Sequence, residues 1–181
     1  MKKLLIMQKV MFVIYIIAMV ALFLYSLGFM TQYRDFQYLA SYENYVLYEF
    51  HHERLIPYNN FIFNLAIVSI VTILIVFSCK YNKKLPNLVT TVIGILITIP
   101  TIISSVYSLK ILPGLKKDYQ GFDFSYVPEE TYEPYTPSTL AFDIGEILSI
   151  ALIIIMVLFI AILVVNCIAK YTSEAKGKKR A

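Results

Sequence analysis

Two pairs of side chains have the types and spacing that chemistry on a helix surface requires. Glu49 and His52 stand three residues apart, which on a helix puts a carboxylate and an imidazole on one face. Di-iron bundles use this Glu-x-x-His spacing, but they need two such pairs and further glutamates from other helices. Only one pair is present, and His51-His52-Glu53 has no metal-site spacing either, so no metal or other cofactor is expected. Asp143 and Glu146 repeat the i, i+3 spacing near the start of a helix. Solvated carboxylates are the ordinary occupants of a helix N-terminus, where the macrodipole favours negative charge; cation binding is the sharper alternative. A membrane enzyme acting on lipid or peptide would have to draw its base from these two pairs. With no nucleophile placed beside either, no enzyme is expected.

A third set is polar without being ionisable. Thr91, Gly94, Thr98, Thr101, Ser105 and Ser108 recur at spacings of three and four, so they form one continuous stripe along a helix. Small residues let helices approach closely, and hydroxyls can bond across the contact. The plain reading is a packing seam, and the sharper one is a hydroxyl-lined path for a polar solute. Shorter seams of the same kind are Ala18, Ala21, Tyr25 and Gly28, and then Ser69, Thr72 and Cys79.

The elements that carry these residues are apolar runs over 10–30, 61–79, 88–109 and 147–165. A run of 19 residues spans about 28 Å as a helix, close to the hydrocarbon thickness of a bilayer. Lipid offers no partners to backbone N–H and C=O groups, so each run must be helical. Asn64 is the only strongly polar residue of the second run, Ser149 that of the fourth, and the third holds Pro100, which should kink it. The chain is 59% hydrophobic and only 15% charged, against about a quarter charged in soluble domains. The fold class is therefore an all-α integral membrane protein, a four-transmembrane-helix bundle with two outer loops, the first partly helical.

None of the runs contains Asp, Glu, Lys, Arg or His. Ion- and proton-coupled transporters mark their paths with such groups, which argues against self-sufficient coupled transport. Charge also orients the chain. Residues 1–9, 80–87 and 170–181 hold eleven of the 16 basic residues and one acid, Glu174. The segments 31–60 and 110–136, with the start of the fourth helical segment, hold eleven acids and five basic residues. Basic flanks stay cytoplasmic, so both termini and the 80–87 loop are expected inside. The basic tail needs only topogenic charge and anionic lipid to explain it, and nucleic acid is not expected.

The organisation read from the sequence is a cytoplasmic N-terminus (1–9), a first span (10–30), an outer segment helical in part (31–60), a second span (61–79), a cytoplasmic loop (80–87), a third span (88–109), an irregular outer loop (110–136), an outer extension with the fourth span (137–169), and a basic tail (170–181). Thr136 and Pro137 read as an N-cap followed by proline in the first turn. Within the first outer segment a helix is expected over much of 34–54. Its apolar face would be Leu39, Tyr42, Val46 and Phe50, with Gln37, Ser41, Asn44 and His51 opposite. Tyr38, Tyr42, Tyr45 and Tyr48 in that segment are membrane-interface anchors or a partner surface. Cys79 and Cys167 both lie at inner ends of spans, so no outer-loop disulfide can form. Abundant Ile, Lys and Tyr without any Trp suggest a low-GC bacterial source and its plasma membrane.

The expected role is a non-enzymatic accessory or structural subunit of a larger membrane assembly, meeting protein partners through outer loops and helix seams. A small oligomeric transporter or channel with a Thr/Ser-lined path is the first alternative, and a membrane enzyme the second. Met1-Lys2-Lys3 before an apolar run also resembles a signal peptide, with Ser26-Leu27-Gly28 as its cleavage site. The run has 21 residues, however, against about 7–15 for an h-region. Intact-mass spectrometry should find the first helix retained; a chain starting just after Gly28 would show it removed.

Overall fold

Hydrocarbon gives the backbone nothing to bond with, and every span of this protein closes its hydrogen bonds inside an α-helix. The computed structural model describes residues 2–33, 45–81, 86–122, 124 and 137–178. The helices are α1 (Lys2–Gln32), α2 (Tyr45–Glu49), α3 (Ile56–Tyr81), α4 (Asn87–Gln120) and α5 (Leu140–Lys178). A π-helical segment, Phe50–Leu55, joins α2 to α3 without a break. Among the described residues there is no strand, and four helical stretches are long and apolar enough to cross a membrane. The protein is an all-α, multi-pass membrane bundle.

Among the long helices α1 packs on α3, α3 on α4 and α4 on α5, and α5 closes the ring on α1. All four contacts are antiparallel. Phe12 of α1 meets Phe77 of α3 while Phe23 meets Phe63, and Phe12 meets Phe159 of α5 while Phe29 meets Phe142. Lys80 donates to Asn87 at one end of α3 and α4, and Tyr58 to Ser108 towards the other. The core is aromatic and aliphatic: Phe12, Tyr15, Met19, Ile62, Ile73, Met156, Phe159 and Leu163 are buried. The opposite faces are equally apolar and exposed, with Ile17, Val68, Leu96, Ile103 and Ile147 each above 60%. A helix apolar on all sides belongs in lipid, and an exposed apolar belt of this extent is foreign to a soluble monomer.

The tightest packing is between α4 and α5. Gly94 lies so close to α5 that a Cβ there would come within 2.6 Å of Leu163 Cδ1. Gly145 of α5 makes room for the Tyr25 ring, and a Cβ there would run into its hydroxyl and stand 2.8 Å from Leu112 Cδ1. Gly28, expected on a first-span seam, faces open space instead.

Three boundaries differ from those the sequence suggests. The segment from Lys110 is not irregular at first: α4 continues to Gln120, through Pro113 and Gly114. Leu112, Leu115 and Tyr119 explain this, because their helical spacing buries all three, while Pro113 lies on the exposed side. The fourth helix starts at Leu140, with Pro137 outside it. Ser138 Oγ accepts from the Leu140 N–H, and the Thr139 carbonyl accepts from Phe142 and Asp143. The described helix within residues 31–60 runs directly into the second span, and the inward pair is Leu47 and Phe50, with Val46, expected on the apolar face, exposed.

Gly145→Val should lower the stability of the purified protein by about 1–3 kcal/mol, the usual cost of overpacking. Gly28→Val, facing open space, is the control and should leave thermal unfolding unchanged in the same detergent.

Candidate functional site

Thr91, Gly94, Thr98, Thr101, Ser105 and Ser108 all lie on one buried face of α4. Their hydroxyls are turned largely to their own helix. Thr91 donates to the Asn87 carbonyl at 2.9 Å, Thr98 to Gly94 at 2.6 Å and Ser105 to Thr101 at 2.8 Å. Thr101 reaches the Ile97 carbonyl at 3.5 Å, in the turn that Pro100 interrupts. Ser108 accepts from Tyr58 across the α3–α4 contact at 3.0 Å. The Tyr15 hydroxyl of α1 is buried against Thr98, Thr101 and Ser69. At the end of the bundle that holds both termini, Asn166 Nδ2 donates to Gln8 Oε1, joining α5 to α1.

The helices outlast the hydrocarbon at the other end. From Val46 to Lys80 the second transmembrane helix has 35 residues. That is about 50 Å of helix against a hydrocarbon core of about 30 Å. The projecting turns form a head around stacked aromatic rings. Phe29, Tyr33, Tyr119 and Phe142 meet with centroids 4.8–5.7 Å apart, drawing α1, α4 and α5 together. Tyr58 of α3 joins Phe29 at 5.8 Å. Two ion pairs among the described residues brace the rim: Arg54 with Asp118, and Lys116 with Asp143. Asp143 thus faces a lysine, which accounts for its charge. Arg54 also lies over the Phe50 ring, 5.5 Å from its centroid.

Glu49 is exposed, and His52 stacks on Tyr48 with centroids 4.2 Å apart. Among the described residues no three His, Cys, Asp or Glu side chains gather as a metal site needs. His51, expected on the polar face, is buried, because the π-segment turns Phe50, His51 and Leu55 inward together. The wider turn is visible in the Ile56 N–H, which donates to the His51 carbonyl five residues back.

Beside the π-segment a cleft of about 370 Å³ separates the C-terminal end of α1 from the start of α3. Phe29, Met30, Leu55 and Ile56 give it an apolar wall, and Asn59 enters from α3. Asn59 is 2% exposed, and neither its Nδ2 nor its Oδ1 has a hydrogen-bond partner. A buried amide without partners costs about 1–3 kcal/mol by mutational measures, so such groups are rare and need explaining. A second, larger cleft of about 620 Å³ separates α3 from α4, with Arg54 and Lys110 at its edge and Phe61, Ile103 and Tyr107 along it.

Asn64 stands apart from both. It lies inside the second apolar run yet is exposed on the outer surface of α3, and it makes no hydrogen bond within the chain among the described residues. With Phe61, Val68, Val71 and Ile75 it forms an exposed stripe at three- and four-residue spacing. Of the tyrosines read as a partner surface, Tyr48 is exposed, 46%. Tyr38 and Tyr42, and the side chain of Tyr45, lie outside the described residues, as do Leu39 and the basic Lys83 and Lys84. Sequence reasoning noted Asn64 as a lone polar residue but passed over Asn59, whose position just before an apolar run reads as ordinary rim polarity.

Comparison of the chain with protein-family models, curated proteins and solved structures returned no match. The Arg54–Asp118 pair is about half exposed, at 49% and 42%. A double-mutant cycle with Arg54→Ala and Asp118→Ala should accordingly give a coupling of only about 0.2–1 kcal/mol, reduced further by salt.

Proposed function

We propose that this protein is a non-enzymatic accessory subunit of a plasma-membrane assembly, receiving a partner's transmembrane helix along the exposed stripe of α3. Asn64 carries this reading. A carboxamide facing hydrocarbon without a partner is costly, and the remedy in membranes is a hydrogen bond from a neighbouring helix, worth about 0.6–2 kcal/mol. Phe61, Val68, Val71 and Ile75 give the same face an apolar seam on which such a helix can lie. A single polar residue in an apolar seam is also the usual device for fixing the register of two helices.

The rest of the molecule fits that role. The hydroxyls of α4 are bonded to its own carbonyls or packed within the bundle, which supports reading them as a seam inside the chain. The braced aromatic head gives the assembly a rigid outer platform, and Tyr48 and the second cleft extend the contact surface above the bilayer. Both termini are cytoplasmic in this reading, on the strength of the basic flanks.

Purification in mild detergent followed by mass spectrometry tests the reading. A partner with a membrane span should emerge with the wild type and be depleted about tenfold or more by Asn64→Leu with Val68→Trp, a bulky ring added to a lost hydrogen bond. A chain that always emerges alone and monomeric would sink it.

A further inference from the structure

The cleft beside the π-segment has three properties that together specify a ligand. The first is its height. Met30 closes the first apolar run and Asn59 and Asn60 immediately precede the second, so the cleft straddles the boundary between hydrocarbon and headgroups. The second is its lining: Phe29, Met30, Leu55 and Ile56 are apolar, and among the described residues no Asp, Glu, Lys or Arg reaches it. The third is the Asn59 carboxamide, 2% exposed and without a partner at either atom. A carboxamide offers two donors and one acceptor on adjacent atoms. An occupant must therefore accept a hydrogen bond, donate one, carry no charge and trail an apolar chain.

We propose that this cleft binds an uncharged acylglycerol, with Asn59 donating from Nδ2 to the ester carbonyl and accepting at Oδ1 from a glycerol hydroxyl. The acyl chain lies on the Met30, Leu55 and Ile56 wall and continues into the bilayer. A volume of about 370 Å³ suits the glycerol ester and the first methylenes, because binding clefts of about 300–1,000 Å³ enclose drug-sized groups. An anionic headgroup fits less well, because among the described residues no cation lines the cleft to replace its lost hydration. The π-segment belongs to the same design. Its wider turn sets His51 and Leu55 against the cleft, and π-bulges are frequent where helices bind ligands.

The amide also separates binding from folding. An unpartnered buried amide contributes nothing to stability, and replacing it by an apolar side chain of similar size is neutral or stabilising. Asn59→Leu should therefore leave the empty protein at least as stable as the wild type while disabling the site.

The test uses the full chain in nanodiscs and a monoacylglycerol carrying a photoreactive diazirine early in its acyl chain. Labelling should be saturable, fall with excess unlabelled monoacylglycerol, and map by mass spectrometry to peptides holding Met30 or Leu55 and Ile56. Losing two hydrogen bonds of about 0.5–1 kcal/mol each predicts about tenfold less labelling for Asn59→Leu, at an unchanged or higher melting temperature. Asn59→Ser, which keeps one donor and acceptor, should retain part of it. Equal labelling in wild type and Asn59→Leu would overturn the proposal. So would a diazirine phosphatidylglycerol probe labelling the same peptides as strongly as the monoacylglycerol, or a fall in the Asn59→Leu melting temperature that tracks the lost labelling.

Discussion

A bilayer supplies no hydrogen-bond partners, and every polar group of this protein below the headgroups has to be accounted for on that basis. Most are satisfied within a single helix. Thr98, Ser105 and Ser149 each donate to the carbonyl four residues back, and Ser26 to the one three back. Others pair across helices, as Gln8 does with Asn166 and Tyr58 with Ser108. The buried Tyr15 and Tyr25 hydroxyls have no hydrogen-bond partner among the described residues, and two side-chain amides join them: Asn59, buried in a cleft, and Asn64, turned to lipid. The proposals above complete these two amides from outside the chain, one by a ligand and one by a helix.

The aromatic head follows from the same constraint by contrast. Once helices rise above the hydrocarbon, charged side chains become affordable and are used. Arg54, Lys116, Asp118 and Asp143 brace the rim, and Tyr33, Tyr58 and Tyr119 turn their rings inward to form its core. Surface ion pairs contribute little to stability, so the head is held chiefly by its aromatic packing, with the charges fixing which helices meet. This combination suits a platform that positions a partner better than one that moves.

Much of this architecture is legible in the sequence, and the reasons it is or is not are local. The apolar runs announce four spans because nothing else explains so many apolar residues without a charge. The α4 stripe is legible because its spacing alone places Thr91 through Ser108 on one face. The continuation of α4 to Gln120 is harder, because Pro113 and Gly114 read as breakers unless the burial of Leu112, Leu115 and Tyr119 is known. The direction of Asn64 is not legible at all, since a run apolar on every side does not say which side faces lipid. Asn59 is hidden for a related reason: its burial depends on the π-turn and on rings from α1, which no local pattern encodes.

The most direct test is the side-chain amide NMR spectrum of the full chain labelled with ¹⁵N-asparagine, recorded first alone in nanodiscs and then in the assembly isolated from its membrane. Single substitutions assign each amide. The account predicts that Asn166, already bonded to Gln8, stays in place, while the Asn59 and Asn64 amide protons move downfield as they gain partners. If both are already hydrogen-bonded in the isolated chain, or neither moves in the assembly, the account is contradicted.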